Sequence, residues 1–242
     1  MSKVLVLRMA GPMQSWGSSS RFTRRSTEAF PTKSGILGLL AAAQGRRRTD
    51  PIEDLAQLRV AVRVDQRGEL LRDFHTAHRG SESMPLSERY YRADAAFAGF
   101  VEGPNDLIDG LSQAILRPAF PLYLGRRSCP PTMPLRLAVR DEEMWEVITT
   151  TPWLASTYYQ KKQRFEQYVS LRVLADEGVI PELVGATSAQ TLQDVPVSFD
   201  SEHRMYTFRT VEETRIALEN PEYVQTSPQE GACLGHDPMQ VL

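Results

Sequence analysis

Arginines dominate the side chains here that could do chemistry. Arg21, Arg24, Arg25 and Lys33 lie within Gly11–Gly45, GPMQSWGSSSRFTRRSTEAFPTKSGILGLLAAAQG. Arg126 and Arg127 stand in a second short turn, Gly125-Arg126-Arg127-Ser128, closed by Pro130-Pro131. Cationic groups interleaved with Gly, Ser, Trp16 and Phe22, not with Glu, suit phosphate oxygens, and the guanidinium fork can bind them in pairs. A merely solvated basic face is the plainer alternative. The first stretch also runs toward a helix start at Ser34-Gly35, where free N–H groups would favour an anion. Gln14 and Ser15 could hydrogen-bond base edges. Trp16, Phe22, Tyr90 and Tyr91 are rings on which an unpaired base could stack. Core packing competes with stacking for every such ring; it is preferred for Tyr91 and Phe97, and stacking is favoured only for Trp16.

Charge is unevenly spread along the 242 residues. The net charge is −2, yet residues 1–48 hold nine Lys/Arg against one acid, Glu28. A basic block on an acidic body points to a polyanionic partner. Composition is otherwise that of a globular protein, 41% hydrophobic and 24% charged. No apolar run reaches the roughly 18 residues of a membrane helix. The start, MSKVLVLRM, lacks a signal-peptide layout, so a cytoplasmic location is expected. Two cysteines, Cys129 and Cys233, make no disulfide framework, and no Cys/His spacing suggests a metal. No Ser/His/Asp order, HxxE metal motif or GxxxxGKS loop occurs, and no cofactor is implied. Cys129 reads as a packing or turn residue.

The elements that position these groups follow from periodicity. Lys3–Met9 has the unbroken apolar run of a strand buried on both faces. Residues 13–30 have no period and form a loop. A helix is expected over about 33–44, capped by Thr32 or Ser34, with Gly45 at C′. Gly35 and Gly38 in its first turns mark a close approach, by packing or by a ligand. Asp50-Pro51-Ile52-Glu53 opens a short helix to about Leu58. Arg59–Asp65 alternates as a strand, Arg67-Gly68 turns, and Glu69–Thr76 pairs back as a hairpin. Ala77–Arg89 is a polar insertion. Tyr90–Val101 is a long strand, residues 105–116 a helix and Leu135–Arg140 a strand. This order, β α (α) β β α β, fits an α+β, ferredoxin-like sheet with helices on one face. Beyond it, Trp153–Tyr168 reads as helix or arm, and Val169–Ala175 and Met205–Val211 as strands.

The succession strand–GPMQSWG–loop–FPTKSGILGLL, then RDFHT, then LYLGRRSCPP, resembles the Cas-five family of repeat-associated (RAMP) proteins, in its CasD branch from type I-E CRISPR Cascade. The likeness spans roughly residues 3–137. It implies an RRM-type palm over residues 1–140 with a protruding thumb hairpin inserted at about 77–92. Residues 141–242 are then an irregular C-terminal extension packing on the palm, with a tail after 217 expected to be irregular or disordered. It further implies an RNA-binding subunit without catalysis, which caps the 5′ handle of the CRISPR RNA and contacts the backbone subunit CasC and the large subunit CasA. Target DNA would be met through the complex. The RNA-binding set would be Gln14, Ser15, Trp16, Arg21, Arg24, Arg25, Lys33, Ser34, Gly35, His75, Gly125, Arg126, Arg127 and Ser128. A type I-C relative is a metal-independent endoribonuclease. That leaves an alternative in which His75 serves as general acid or base. A structural or RNA-contacting His75 is the reading that fits type I-E, where CasE does the processing.

Overall fold

The structure is a computed structural model, described over residues 2–17, 24–76, 78–80, 82–83, 85–200 and 202–225. Its frame is one large sheet in which the order of strands is β10-β11-β9-β3-β7-β1-β8. In chain order these are β1 (Ser2–Gln14), β3 (Arg59–Gln66), β7 (Ser87–Pro104), β8 (Arg136–Arg140), β9 (Tyr168–Asp176), β10 (Ser188–Ser198) and β11 (Met205–Glu219). Every pair along that path is antiparallel. A short β2 (Arg24–Arg25) joins the outer half of β7 in parallel. No helix among the described residues is long and apolar enough to cross a membrane.

Burial on both faces explains the continuous apolar run of β1. Leu5, Leu7 and Met9 point into one core, shared with α1 (Lys33–Ala43), α2 (Glu53–Ala56) and α3 (Asn105–Leu116). Val4 and Val6 point the other way, into a second core with α4 (Met144–Thr150), Trp153 and strand β9. Successive side chains of a strand alternate faces, so each apolar residue of the run finds a core. Helices therefore cover both faces, where the sequence placed them on one. The mixed α/β class stands, dominated by an antiparallel sheet.

Helix α1 forms where its sequence signals said. Thr32 Oγ1 accepts from Gly35 N at 3.2 Å. At the other end Arg46 N donates to Ala41 O and Gly45 N to Ala42 O, with Gly45 at φ 80°. That is a Schellman close, which needs the left-handed backbone glycine adopts freely. Helix α3 also forms over the expected span, though Pro104 occupies its N-cap without a side-chain bond. Near Pro51 the expected capping box is absent: α2 is one turn, and Asp50 instead accepts from Arg47 N.

Two expectations are corrected. Glu69–His75 (β4) does not pair back on β3; it pairs with residues 87–93 of β7, beyond the part that β3 occupies. Gly68 (φ 62°) and Asp94 (φ 51°) kink the two sides of this ladder, and Gln66 Nε2 holds the kink through Asp94 O and Oδ2. The result is an arm on the sheet, longer than the insertion at 77–92. At its end the two-residue strands β5 (His78–Arg79) and β6 (Glu82–Ser83) pair with each other. Nor is the region after residue 140 irregular. Strands β9, β11 and β10 continue the same sheet from β3, and β11 runs past Ala217 to Glu219. The helical part of Trp153–Tyr168 is α5 (Thr157–Lys162). Most of the tail expected to be irregular, residues 226–242, lies outside the described residues.

Candidate polyanion groove

Between α1 and the segment 120–130 lies a groove of about 1110 Å³. Arg25 and Ser26 line one end, Arg46, Arg47 and Arg48 the turn after α1, and Arg126 and Arg127 the Gly-Arg-Arg-Ser turn; Phe199, Arg204 and Tyr206 close it from the β10–β11 side. Among the described residues, seven arginines line this space and no carboxylate does.

Each wall is positioned by backbone. Ala119 N and Phe120 N donate to Ala43 O and Ala42 O, docking segment 119–120 on the C-terminal end of α1. Ser15 N donates to Leu124 O, which ties the exit of β1 to the second basic turn. Gly125 lies at φ 85°, and a Cβ there would sit 1.7 Å from Ser15 O. Only glycine fits that turn, so the glycine of GRRS is a close-approach residue. Arg126 is half structural. It donates to Tyr90 O and Arg25 O and stacks over the Tyr91 ring, which binds β2 and β7 to the turn.

The arginines divide by partner. Arg46 is held by Asp54 and Pro51 O. Arg25, Arg47, Arg48, Arg127 and Arg204 are exposed, and none of them is in a salt bridge among the described residues. Guanidinium groups gathered on one concave surface without carboxylate partners among the described residues concentrate positive potential.

Several candidate residues are committed elsewhere. Gln14 is fully buried, its amide donating to Met9 O and Ala95 O while its oxygen accepts from Trp16 Nε1. Trp16 is fully buried as well, its indole against Gly35, where a Cβ would approach ring carbon Cε3 to 2.7 Å. A base cannot reach the face of that ring, and packing is why Gly35 is glycine. Ser15 Oγ donates to Tyr90 O. Ser34 is buried beside the Thr32 hydroxyl, and Ser128 is exposed.

The α1 N-terminus is not a free anion site, because the protein supplies its own anion. Asp194 accepts from Lys33 N at 2.7 Å and Thr32 caps Gly35 N. Lys33 Nζ is buried in a 2.9 Å ion pair with Asp176. Arg209 bridges Asp194 and Asp176; burial draws its pKa down, but those two carboxylates outweigh it and hold the guanidinium charged above its ordinary range.

His75 lies on β4, outside the groove, with Nε2 2.5 Å from Asp73 Oδ2. Tyr91 and Phe97 are core residues, as preferred. Burial pushes the Cys129 thiol above its ordinary range, which opposes a reactive thiolate. Arg21 and Phe22 lie outside the described residues, as does the side chain of Arg24. What the sequence did not reveal is Arg46–Arg48 as groove residues and the contribution of Phe199, Arg204 and Tyr206. The triplet Arg46–Arg48 was visible as charge. The other three sit in a polar stretch with no signal pointing back to residue 25.

Fold and groove together define an antiparallel-sheet protein with an arginine-lined concave surface. The chain belongs to the CRISPR-associated protein family Cas_Cas5, whose pattern matches residues 4–212. One relative, the CRISPR system Cascade subunit CasD of Escherichia coli (strain K12), is 39% identical over 159 residues, covering 57% of this chain and 71% of that protein. A chain from a solved CRISPR RNA-guided surveillance complex superposes with a TM-score of 0.73 at 30% identity, covering 93% of this chain and 95% of that one. A second solved Cas protein gives 0.64 at 32% identity, covering 93% and 100%.

Proposed function

We propose that this chain is a non-catalytic subunit of a Cascade-type surveillance complex that caps the 5′ handle of the CRISPR RNA. The single observation that carries the reading is a groove that, among the described residues, holds no carboxylate and five exposed arginines outside any salt bridge, in a member of this family. RNA phosphates would lie along Arg25, Arg47, Arg48, Arg127 and Arg204, with Tyr206 and Phe199 as the rings nearest to a base. The strand order β3-β7-β1-β8, with α1 between β1 and β3 and α3 between β7 and β8, supports a ferredoxin-like palm. On that reading the β4–β7 arm is the thumb. The backbone subunit CasC and the large subunit CasA are the proposed protein partners, target DNA is met through the complex, and the setting is cytoplasmic.

The nuclease alternative is not favoured. Its sole candidate, His75, stands away from the groove on the arm and is engaged by Asp73. Two assays test the proposal on the assembled complex. A photoreactive uridine at each handle position should cross-link to peptides around residues 46–48, 120–127 and 199–206. Cross-links confined to other surfaces would reject the groove. Precursor repeat RNA should remain intact without metal; cleavage lost in His75→Ala would establish the nuclease instead.

A further inference from the structure

A second cluster of cations and rings lies on the opposite side of the sheet from the groove. The segment 157–168, TYYQKKQRFEQY, contains Lys161, Lys162 and Arg164 against one acid, Glu166. Three of its rings are largely in solvent: Tyr158 is 76% exposed, Phe165 59% and Tyr168 58%. The fourth ring, Tyr159, packs edge-on against Trp153, centroids 6.0 Å apart, in the second core. This places α5 on the face away from α1. Tyr158, Lys161 and Lys162 are three and four residues apart and share one face of α5. The Arg164 guanidinium lies over the Phe165 ring at 4.8 Å.

The cluster is pinned rather than loose. Ser156 caps α5 and is itself bound by Gln66 Oε1 from the central sheet. Gln160 is buried, donating to Trp153 O and Ala155 O. Asn220 donates to Gln160 O and Gln163 O, and Val224 N to Arg164 O. Among the described residues, none of the three cations is in a salt bridge, in a chain that elsewhere pairs its cations freely.

We propose that the α5 surface, Tyr158, Lys161, Lys162, Arg164 and Phe165, is a second binding site for a single nucleic-acid strand. Exposed rings interleaved with unpaired cations are what a strand needs: bases stack on the rings and phosphates meet the ammonium and guanidinium groups. Such a surface reads charge and ring faces, so it takes the strand with little regard to sequence or sugar. A strand here is distinct from one in the groove, since the sheet lies between them. The inference does not depend on what the groove binds.

The test measures fluorescence anisotropy of labelled dT15 and rU15 with the full chain. The background is an Arg47→Gln/Arg127→Gln variant, so that the groove contributes little. Both oligonucleotides should bind alike. Tyr158→Ala/Phe165→Ala should weaken binding roughly tenfold or more. Lys161→Gln/Lys162→Gln/Arg164→Gln should flatten the dependence of log affinity on log salt by about two. Tyr158→Phe with Phe165→Tyr should restore binding, separating stacking from a folding defect. Oligonucleotide affinity unchanged by either patch variant overturns the proposal. So does loss of another Cascade subunit from the assembled complex with oligonucleotide binding intact, which would make the patch a protein contact.

Discussion

Two sets of arginines in this chain use the same side chain to opposite ends. Arg63 is fully buried and all five of its N–H donors are taken: two by Asp65, three by Ile148 O, Thr151 O and Pro152 O. It clips the α4 connection to strand β3. Arg209, with Lys33, Asp176 and Asp194, likewise ties α1 to strands β9, β10 and β11. Of the groove arginines, Arg25, Arg47, Arg48, Arg127 and Arg204 are in no salt bridge among the described residues, whereas Arg46 is held by Asp54 and Arg126 by backbone carbonyls. An arginine whose donors are met by carboxylates or carbonyls serves the fold, and one exposed without such partners is open to a ligand. Count and spacing of arginines in sequence do not separate the two cases; the location of the acids does.

The comparison can be broken at either set. Asp65→Ala strands the Arg63 charge in the core and should cost about 3–5 kcal/mol in urea unfolding; a loss below 1 kcal/mol would mean water reaches Arg63. Gly125→Ala forces a side chain into the space of Ser15 O at a left-handed backbone position. It should cost about 1–3 kcal/mol and displace Arg126 and Arg127, seen as weaker handle-RNA binding alongside a lower Tm. An unchanged protein would detach the turn from β1. Arg127→Ala and Arg47→Ala should leave Tm within a degree or two of wild type. Each should flatten the salt dependence of RNA binding by about 0.7. A large Tm loss in either would move that arginine into the structural set.

The smallest effect expected is in acid. The Arg172 guanidinium beside Glu213, through a 2.5 Å bond between β9 and β11, holds its carboxyl below the ordinary carboxylate range. A depressed native pKa means the unfolded chain takes up the proton first. The pair's contribution is therefore intact above the ordinary glutamate value of about 4.3 and fades as pH falls below it. Arg172→Ala should remove that part of the acid-side slope in a Tm-against-pH series; an unaltered slope would assign it to other carboxylates.

Legibility followed locality. Thr32, the apolar face of α1 and Gly45 declared that helix in full, since caps and periodicity are short-range. Strand β1 was equally plain. Strand β10, SAQTLQDVPVS, carries no such pattern, because at the sheet's edge most of its side chains face water. Arg67-Gly68 has the chemistry of a hairpin turn but serves as a kink, and only the register on β7 decides. The groove was half legible: GRRS and the basic loop were visible as charge. Trp16 as a core ring, Asp194 as the anion on α1 and Arg204 in the groove depend on contacts across tens to hundreds of residues, which neither spacing nor composition encodes.

The groove's role as the seat of the RNA is tested most directly by salt titration on the assembled complex. Affinity for the 5′-handle RNA is measured across a salt series for wild type and Arg47→Gln/Arg127→Gln. The slope of log affinity against log salt should shrink by about 1.4 with Tm unchanged. Superimposable slopes for the two proteins would contradict the account.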